Sequence, residues 1–173
     1  MVFFELLSRL SPFVIGAGVA LLLAASLEDV ATRLISNKIP LALACCGVLA
    51  RSSDGTLEAA LLMACGLFFL ALLGWRAGAL GGGDVKTLAA ASLLVPPVKV
   101  PYLLFAVVLA GGGVALLYLV LSRTLPPPSP LSAVSRRSLP RRILRIENWR
   151  LHRRPSLPYA TAITIGTIFT LFR

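Results

Sequence analysis

Six apolar stretches, at 10–27, 39–50, 57–75, 85–98, 100–121 and 157–172, occupy most of this 173-residue chain. Hydrocarbon offers no water to backbone N–H and C=O groups, so a segment that enters it must bond its own backbone, as a helix does. The stretches at 10–27, 57–75 and 100–121 are long enough to cross about 30 Å of hydrocarbon. Those at 39–50 and 85–98 are short. The first would need Lys38 and Arg51 to snorkel or the bilayer to thin, and the second is interrupted by Pro96-Pro97. Composition excludes the alternative of a soluble domain: 57% of residues are apolar and only 14% charged, with a mean hydropathy of +0.87. A soluble domain is about half apolar and about a quarter charged. The expectation is an all-α polytopic membrane protein, one integral membrane domain over 1–173, with about six transmembrane helices.

The N-terminal stretch is expected to be a retained span rather than a cleaved signal. It holds Glu5 and a single basic residue, Arg9, and its apolar run exceeds the usual signal core of about 7–15 residues. Pro12 is placed near the first turn of that span, where a missing N–H costs nothing.

Charge orients the spans. If all six cross, thirteen of the 17 Lys and Arg residues fall on one face. The other face holds only Arg9, Arg51, Lys99 and Arg173. The basic face is expected to be cytoplasmic, with both termini outside, and Asp29 and Asp84 then share the cytoplasmic face. In a soluble protein the net charge of +10 would suggest nucleic acid; here it reports orientation and anionic lipid, and no nucleic acid partner is expected.

Residues 124–156 are the one clearly non-membrane region, read as a cytoplasmic loop. Pro126-Pro127-Pro128-Ser129-Pro130 reads as a stiff linker. The arginine-rich part that follows interleaves Ile143, Leu144, Ile146, Trp149 and Leu151, and suits contact with anionic headgroups. His152, the single histidine, sits among arginines with no catalytic pattern around it. Cys45, Cys46 and Cys65 lie in apolar runs without a Cys-x-x-Cys pair, and are expected to be small buried packing residues.

Two carboxylates stand out. Asp29 ends the first apolar stretch, in Ser26-Leu27-Glu28-Asp29, and Asp84 follows three glycines just before the fourth. A carboxylate at the edge of hydrocarbon is costly to desolvate and marks a candidate site. The bland alternatives are a helix N-cap for Asp84 and an interfacial position for Asp29. Together on one face, the two suit a catalytic pair in which one carboxylate deprotonates water and the other hydrogen-bonds the scissile carbonyl. The chain has seven acidic residues, no nucleophile–histidine pair and no metal-ligand cluster, so neither metal nor cofactor is expected. Glycines before Asp84 allow close backbone approach to a helix or an extended substrate. Gly111-Gly112-Gly113 is assigned to helix packing. On helix-end electrostatics alone, Asp29 at a C-terminal end would hold a shared proton and Asp84 at a helix start would stay ionised.

Gly81-Gly82-Gly83-Asp84-Val85-Lys86 resembles the second-aspartate motif of prepilin peptidases, the Gly-x-Gly-Asp membrane aspartic proteases. Asp29-Val30-Ala31-Thr32-Arg33-Leu34-Ile35-Ser36-Asn37 resembles their first motif, an aspartate followed by basic residues and Ile-Pro-Asn. Pro158-Tyr159 resembles the start of their final helix. The resemblance implies Asp29 and Asp84 as catalytic residues, with Gly81, Gly83, Lys86, Arg33 and Asn37 supporting the motifs. Ser36 stands where the family usually has proline, which implies a looser turn. The cysteine-bearing domain of bifunctional members is not found in this sequence, which implies peptidase without N-methyltransferase activity. The compact form is similar to peptidases of tight-adherence (Flp) pilus systems. The implied substrate is the leader of a prepilin or pseudopilin, cut at the cytoplasmic face of a bacterial or archaeal cytoplasmic membrane. A non-catalytic membrane scaffold is the competing class. A small proton-coupled transporter would place carboxylates nearer mid-bilayer and show internal repeats.

Overall fold

The structure is a computed structural model that describes residues 2–124 and 157–173, with side chains from residue 12 onward. The expectations for the Pro-rich and Arg-rich segment, His152 included, fall on residues 125–156, outside the described residues. Every described element is helical: α1 (Val2–Thr32), α2 (Lys38–Ser53), α3 (Leu57–Arg76), α4 (Gly82–Leu94), a 3-10 turn at Pro97–Lys99, α5 (Val100–Thr124) and α6 (Tyr159–Leu171). Among the described residues, six α-helices replace the six apolar stretches one for one. Three are long and apolar enough to cross a membrane: Pro12–Thr32 within α1, α3, and Pro97–Thr124. At about 1.5 Å per residue, α4 and α6 with 13 residues each reach only about 20 Å.

The shortness of α4 has a structural reason. It packs against α1, α2, α3 and α6 and is buried on every side, from Val85 through Leu88, Ala90, Ala91 and Ser92 to Leu94. The other helices turn Phe13, Leu23, Leu62, Leu70, Phe105, Leu109 and Phe169 outward. So much apolar surface on the outside is tolerable in lipid and an aggregation hazard in water.

Small residues set the close approaches. A Cβ on Gly47 of α2 would lie 2.4 Å from Cβ of Leu93 on α4. Gly166 of α6 runs equally close to the backbone of Val107 on α5. The Gly111-Gly112-Gly113 run does less than expected. Only Gly111 faces a neighbour, Ala162 at an ordinary contact distance, and nothing lies within 4 Å of a Cβ on Gly112 or Gly113.

Hydroxyls join α1 to α6. Ser26 Oγ donates to Thr161 Oγ1 (3.0 Å) and Thr164 Oγ1 donates to the Leu22 carbonyl (2.9 Å). Such bonds inside a membrane bundle contribute on the order of 0.6 kcal/mol each. Thr167 and Thr170 satisfy their hydroxyls on carbonyls of their own helix.

Three local expectations change. Pro12 lies inside α1, because the helix begins at Val2 rather than near residue 10; the missing ladder bond is of a kind membrane helices tolerate. Cys45 and Cys65 are exposed on apolar helix faces and Cys46 is partly buried, so these thiols line the outside more than the core. Arg51, one of the two residues that would snorkel unless the bilayer thinned, is 4% exposed. Its Nη1 pairs with Asp54 at 2.6 Å and its Nη2 reaches the carbonyl of Leu94, the last residue of α4, at 3.5 Å. The guanidinium thus meets the negative end of α4, where carbonyls lack helical partners.

Candidate active site

Helix α1 ends because Arg33 turns left-handed. Its φ is 59°, and its N–H closes back on the Asp29 carbonyl at 2.9 Å. This single-residue αL termination normally falls to glycine, and a residue with a Cβ costs about 1–2 kcal/mol there. Asp29 therefore sits in the last turn, and Arg33 begins a loop that runs back toward α4.

That loop is tied down at each step. Thr32 Oγ1 donates to the Glu28 carbonyl (2.9 Å) and accepts the Leu34 N–H (3.2 Å). The Glu28 carboxylate accepts the Ser36 N–H at 3.0 Å. The looser turn expected from serine in place of proline is therefore not what the structure has. Proline would have stiffened the turn through its ring; Ser36 offers an N–H, and Glu28 holds it. Asn37 Oδ1 then accepts Lys86 Nζ at 3.0 Å, joining the loop to α4.

On the other side, α3 closes with a Schellman pair: Ala79 N–H donates to the Gly74 carbonyl (2.9 Å) and Gly78 N–H to the Trp75 carbonyl (3.0 Å). Gly78 supplies the φ of 75° that this termination needs. The chain leaves it extended at Gly81, the N-cap of α4. Asp84 is not that N-cap. It lies three residues on, and its Oδ2 reaches back to accept the Gly81 N–H at 3.1 Å. Its Oδ1 is buried and has no hydrogen-bond partner among the described residues.

The two glycines singled out are the two at which a Cβ would crowd a neighbour of the site. A Cβ on Gly81 would stand 2.8 Å from Asp84 Oδ2, and one on Gly83 would stand 3.1 Å from Cβ of Ile35 in the first-motif loop. Gly82 between them meets only the edge of Trp75, at 3.6 Å.

Asp29 and Asp84, only 6% and 8% exposed, line the same cavity of about 430 Å³. Arg33, Gly81, Leu80 and Tyr159 line it too, with Gly78, Ala79 and Leu157. Asp84 lies within electrostatic reach of both Asp29 and Arg33. Asp29 Oδ2 accepts the Ala160 N–H at 3.2 Å, in the first turn of α6. This changes the helix-end picture. Asp29 ends its own helix but also faces the positive start of another, so the expected asymmetry that would load the shared proton on Asp29 is offset.

Of the residues singled out, Asp29, Asp84, Arg33 and Gly81 meet at the cavity. Gly83, Lys86 and Asn37 form the junction beside it, where the first-motif loop docks on α4. Tyr159 entered the sequence reading only as part of a resemblance, and here it lines the cavity. Leu80, Ala160 and Tyr118 were not singled out at all. Only Gly78, a glycine just past an apolar stretch, carried a usable signal of a helix stop.

No curated protein and no solved structure matches the chain. A family model described as the type IV leader peptidase family, Peptidase A24, matches residues 16–116. The matched region is more than half of the chain, contains both aspartates and the whole Gly81–Lys86 motif, and stops before α6. A match of that extent, over a helical bundle that brings the two motifs to one cavity, makes the chain a member of the type IV leader peptidase family.

Proposed function

We propose that the chain is a membrane aspartic endopeptidase that removes leader peptides from prepilins or pseudopilins at the cytoplasmic membrane face. The observation that carries this reading is the pairing of Asp29 and Asp84, both buried, on one cavity. Two carboxylates in one site resist being ionised together and take a single proton between them. In the reaction, the ionised carboxylate accepts a proton from water as that water attacks the scissile carbonyl. The protonated carboxyl donates its hydrogen bond to the carbonyl oxygen, which becomes a hydroxyl in the tetrahedral intermediate. Collapse returns a proton to the leaving amine and splits the C–N bond. Asp84 Oδ1, which has no hydrogen-bond partner among the described residues, is a ready acceptor for that water.

The cavity wall suits an extended chain. From Gly78 to Gly81 it offers backbone with a single large side chain, Leu80. A leader junction, basic on one side and apolar on the other, belongs at the interface where apolar helices end. The thirteen-to-four division of basic residues supports the cytoplasmic face, and the basic loop at 124–156 suits anionic lipid there. The test is reconstitution in vesicles with a candidate prepilin, reading release of the leader by mass. Wild type should cleave once, at the leader junction, and the Asp29→Asn and Asp84→Asn variants should leave the substrate intact. Equal processing by either variant rejects the dyad.

A further inference from the structure

Arg33 combines three features that its neighbours do not share. It adopts a left-handed backbone without being glycine. Its side chain lines the dyad cavity. And it is held from outside α1: Nη2 donates to the Tyr118 hydroxyl on α5 at 3.3 Å, and the guanidinium carbon lies 5.8 Å from the centre of the Tyr118 ring. A glycine would satisfy the backbone without strain, so the backbone alone gives no reason for an arginine. The side chain supplies one. Two carboxylates face this cavity, and among the described residues that line it Arg33 is the only cation.

We propose that Arg33 is a positioning residue for the dyad, a fixed positive charge whose left-handed backbone and Tyr118 clamp hold it where it keeps one of the two carboxylates ionised. The inference rests on the peptidase reading of Asp29 and Asp84. A cavity with two carboxylates and no cation would favour taking a second proton, and a doubly protonated pair has no base to activate water. With Arg33 in place, the pair gives up its first proton at lower pH, so an ionised base is available further into the acidic range. The titratable and charged groups that face this region are Asp29 of α1, Asp84 of α4, Tyr118 of α5 and Tyr159 of α6. Lys86 is engaged by Asn37 and Glu28 by the Ser36 N–H, both in the loop junction. Arginine suits the place because it stays charged and because its planar group lies against an aromatic ring.

The test uses the full chain in lipid vesicles and two readouts. The first is an infrared titration of the protonated-carboxyl stretch, with Asp29→Asn and Asp84→Asn used to identify the dyad bands. The second is the pH profile of leader cleavage. In Arg33→Gln and Arg33→Gly, the protonated band should persist to a pH about one unit higher than in wild type, a tenfold change in proton affinity, and the acidic limb of kcat/KM should move the same way. Arg33→Lys should recover part of the shift. Arg33→Gly also relieves the backbone, so it should unfold no sooner than wild type, which separates the charge from the fold. Tyr118→Phe removes the hydroxyl and keeps the ring, and should shift the band less than Arg33→Gln. An unshifted band in both Arg33→Gln and Arg33→Gly overturns the proposal. A shifted band in a protein whose wild type cleaves no leader rejects the peptidase reading and leaves the role of Arg33 standing; cleavage by wild type with an unshifted band in Arg33→Gln does the reverse.

Discussion

Asn in place of Asp29 or Asp84 keeps volume and most hydrogen bonding and removes the ability to exchange a proton. Loss of positioned acid–base chemistry costs about 10²–10⁴-fold, so either variant should cleave at least that much more slowly while inserting and folding as wild type does. Single-turnover cleavage beside an expression blot checks this. The glycines divide more finely. Gly81→Ala pushes a methyl into the carboxylate that its own N–H holds, and Gly83→Ala presses on Ile35. Gly82→Ala meets only ordinary contact with Trp75. Activity should fall sharply for the outer two and stay within about threefold of wild type for Gly82→Ala, since surface-type changes without a named clash rarely exceed about 0.5 kcal/mol. A kinetic comparison of the three alanine variants is decisive, because equal loss at all three would mean that the whole loop, and not two contacts, is under constraint.

At the scale of elements, α4 governs the site, since it presents Asp84 at one end and is gripped by Arg51 at the other. Gly47→Ala forces α2 away from it and should cost about 1–3 kcal/mol, the usual range for overpacking. A lowered midpoint in detergent-denaturant unfolding measures it. Glu28→Ala frees the Ser36 N–H and should loosen the first-motif loop, reducing activity with little change in unfolding midpoint. Much of this was legible beforehand. The apolar stretches marked all six described helices, because membrane helices announce themselves by length and composition. The aspartates were legible because carboxylates are out of place at such positions, whereas Gly81 and Gly83 were set apart from Gly82 only by the motif resemblance. The Asn37–Lys86 bond, the Glu28–Ser36 bond and the turn of α6 toward Asp29 were not. Each joins residues far apart or across a loop, and neither periodicity nor local propensity encodes such pairing. Burial of Arg51 escaped for the same reason: a basic residue at a helix end reads as exposed until its partner, the end of another helix, is known.

For the molecule as a whole, orientation is the open quantity that charge addresses. A reporter inserted within 124–156 should behave as cytoplasmic and one fused after Arg173 as external; the opposite result for the arginine-rich stretch would overturn the six-span arrangement. The placement of α6 has a different consequence. This helix brings Tyr159 to the cavity and the Ala160 N–H to Asp29, yet in the chain it follows residues 125–156 and lies past the region that the family model matches. Its hold on the rest is lateral: hydroxyls to α1 and close backbone packing on α5. Covalent continuity should then be dispensable. Two polypeptides, one ending in the Pro-rich stretch and one starting after it, should find each other in the bilayer and restore cleavage that the first piece alone lacks, so that the active enzyme behaves as an assembly of two membrane parts that happen to be encoded as one.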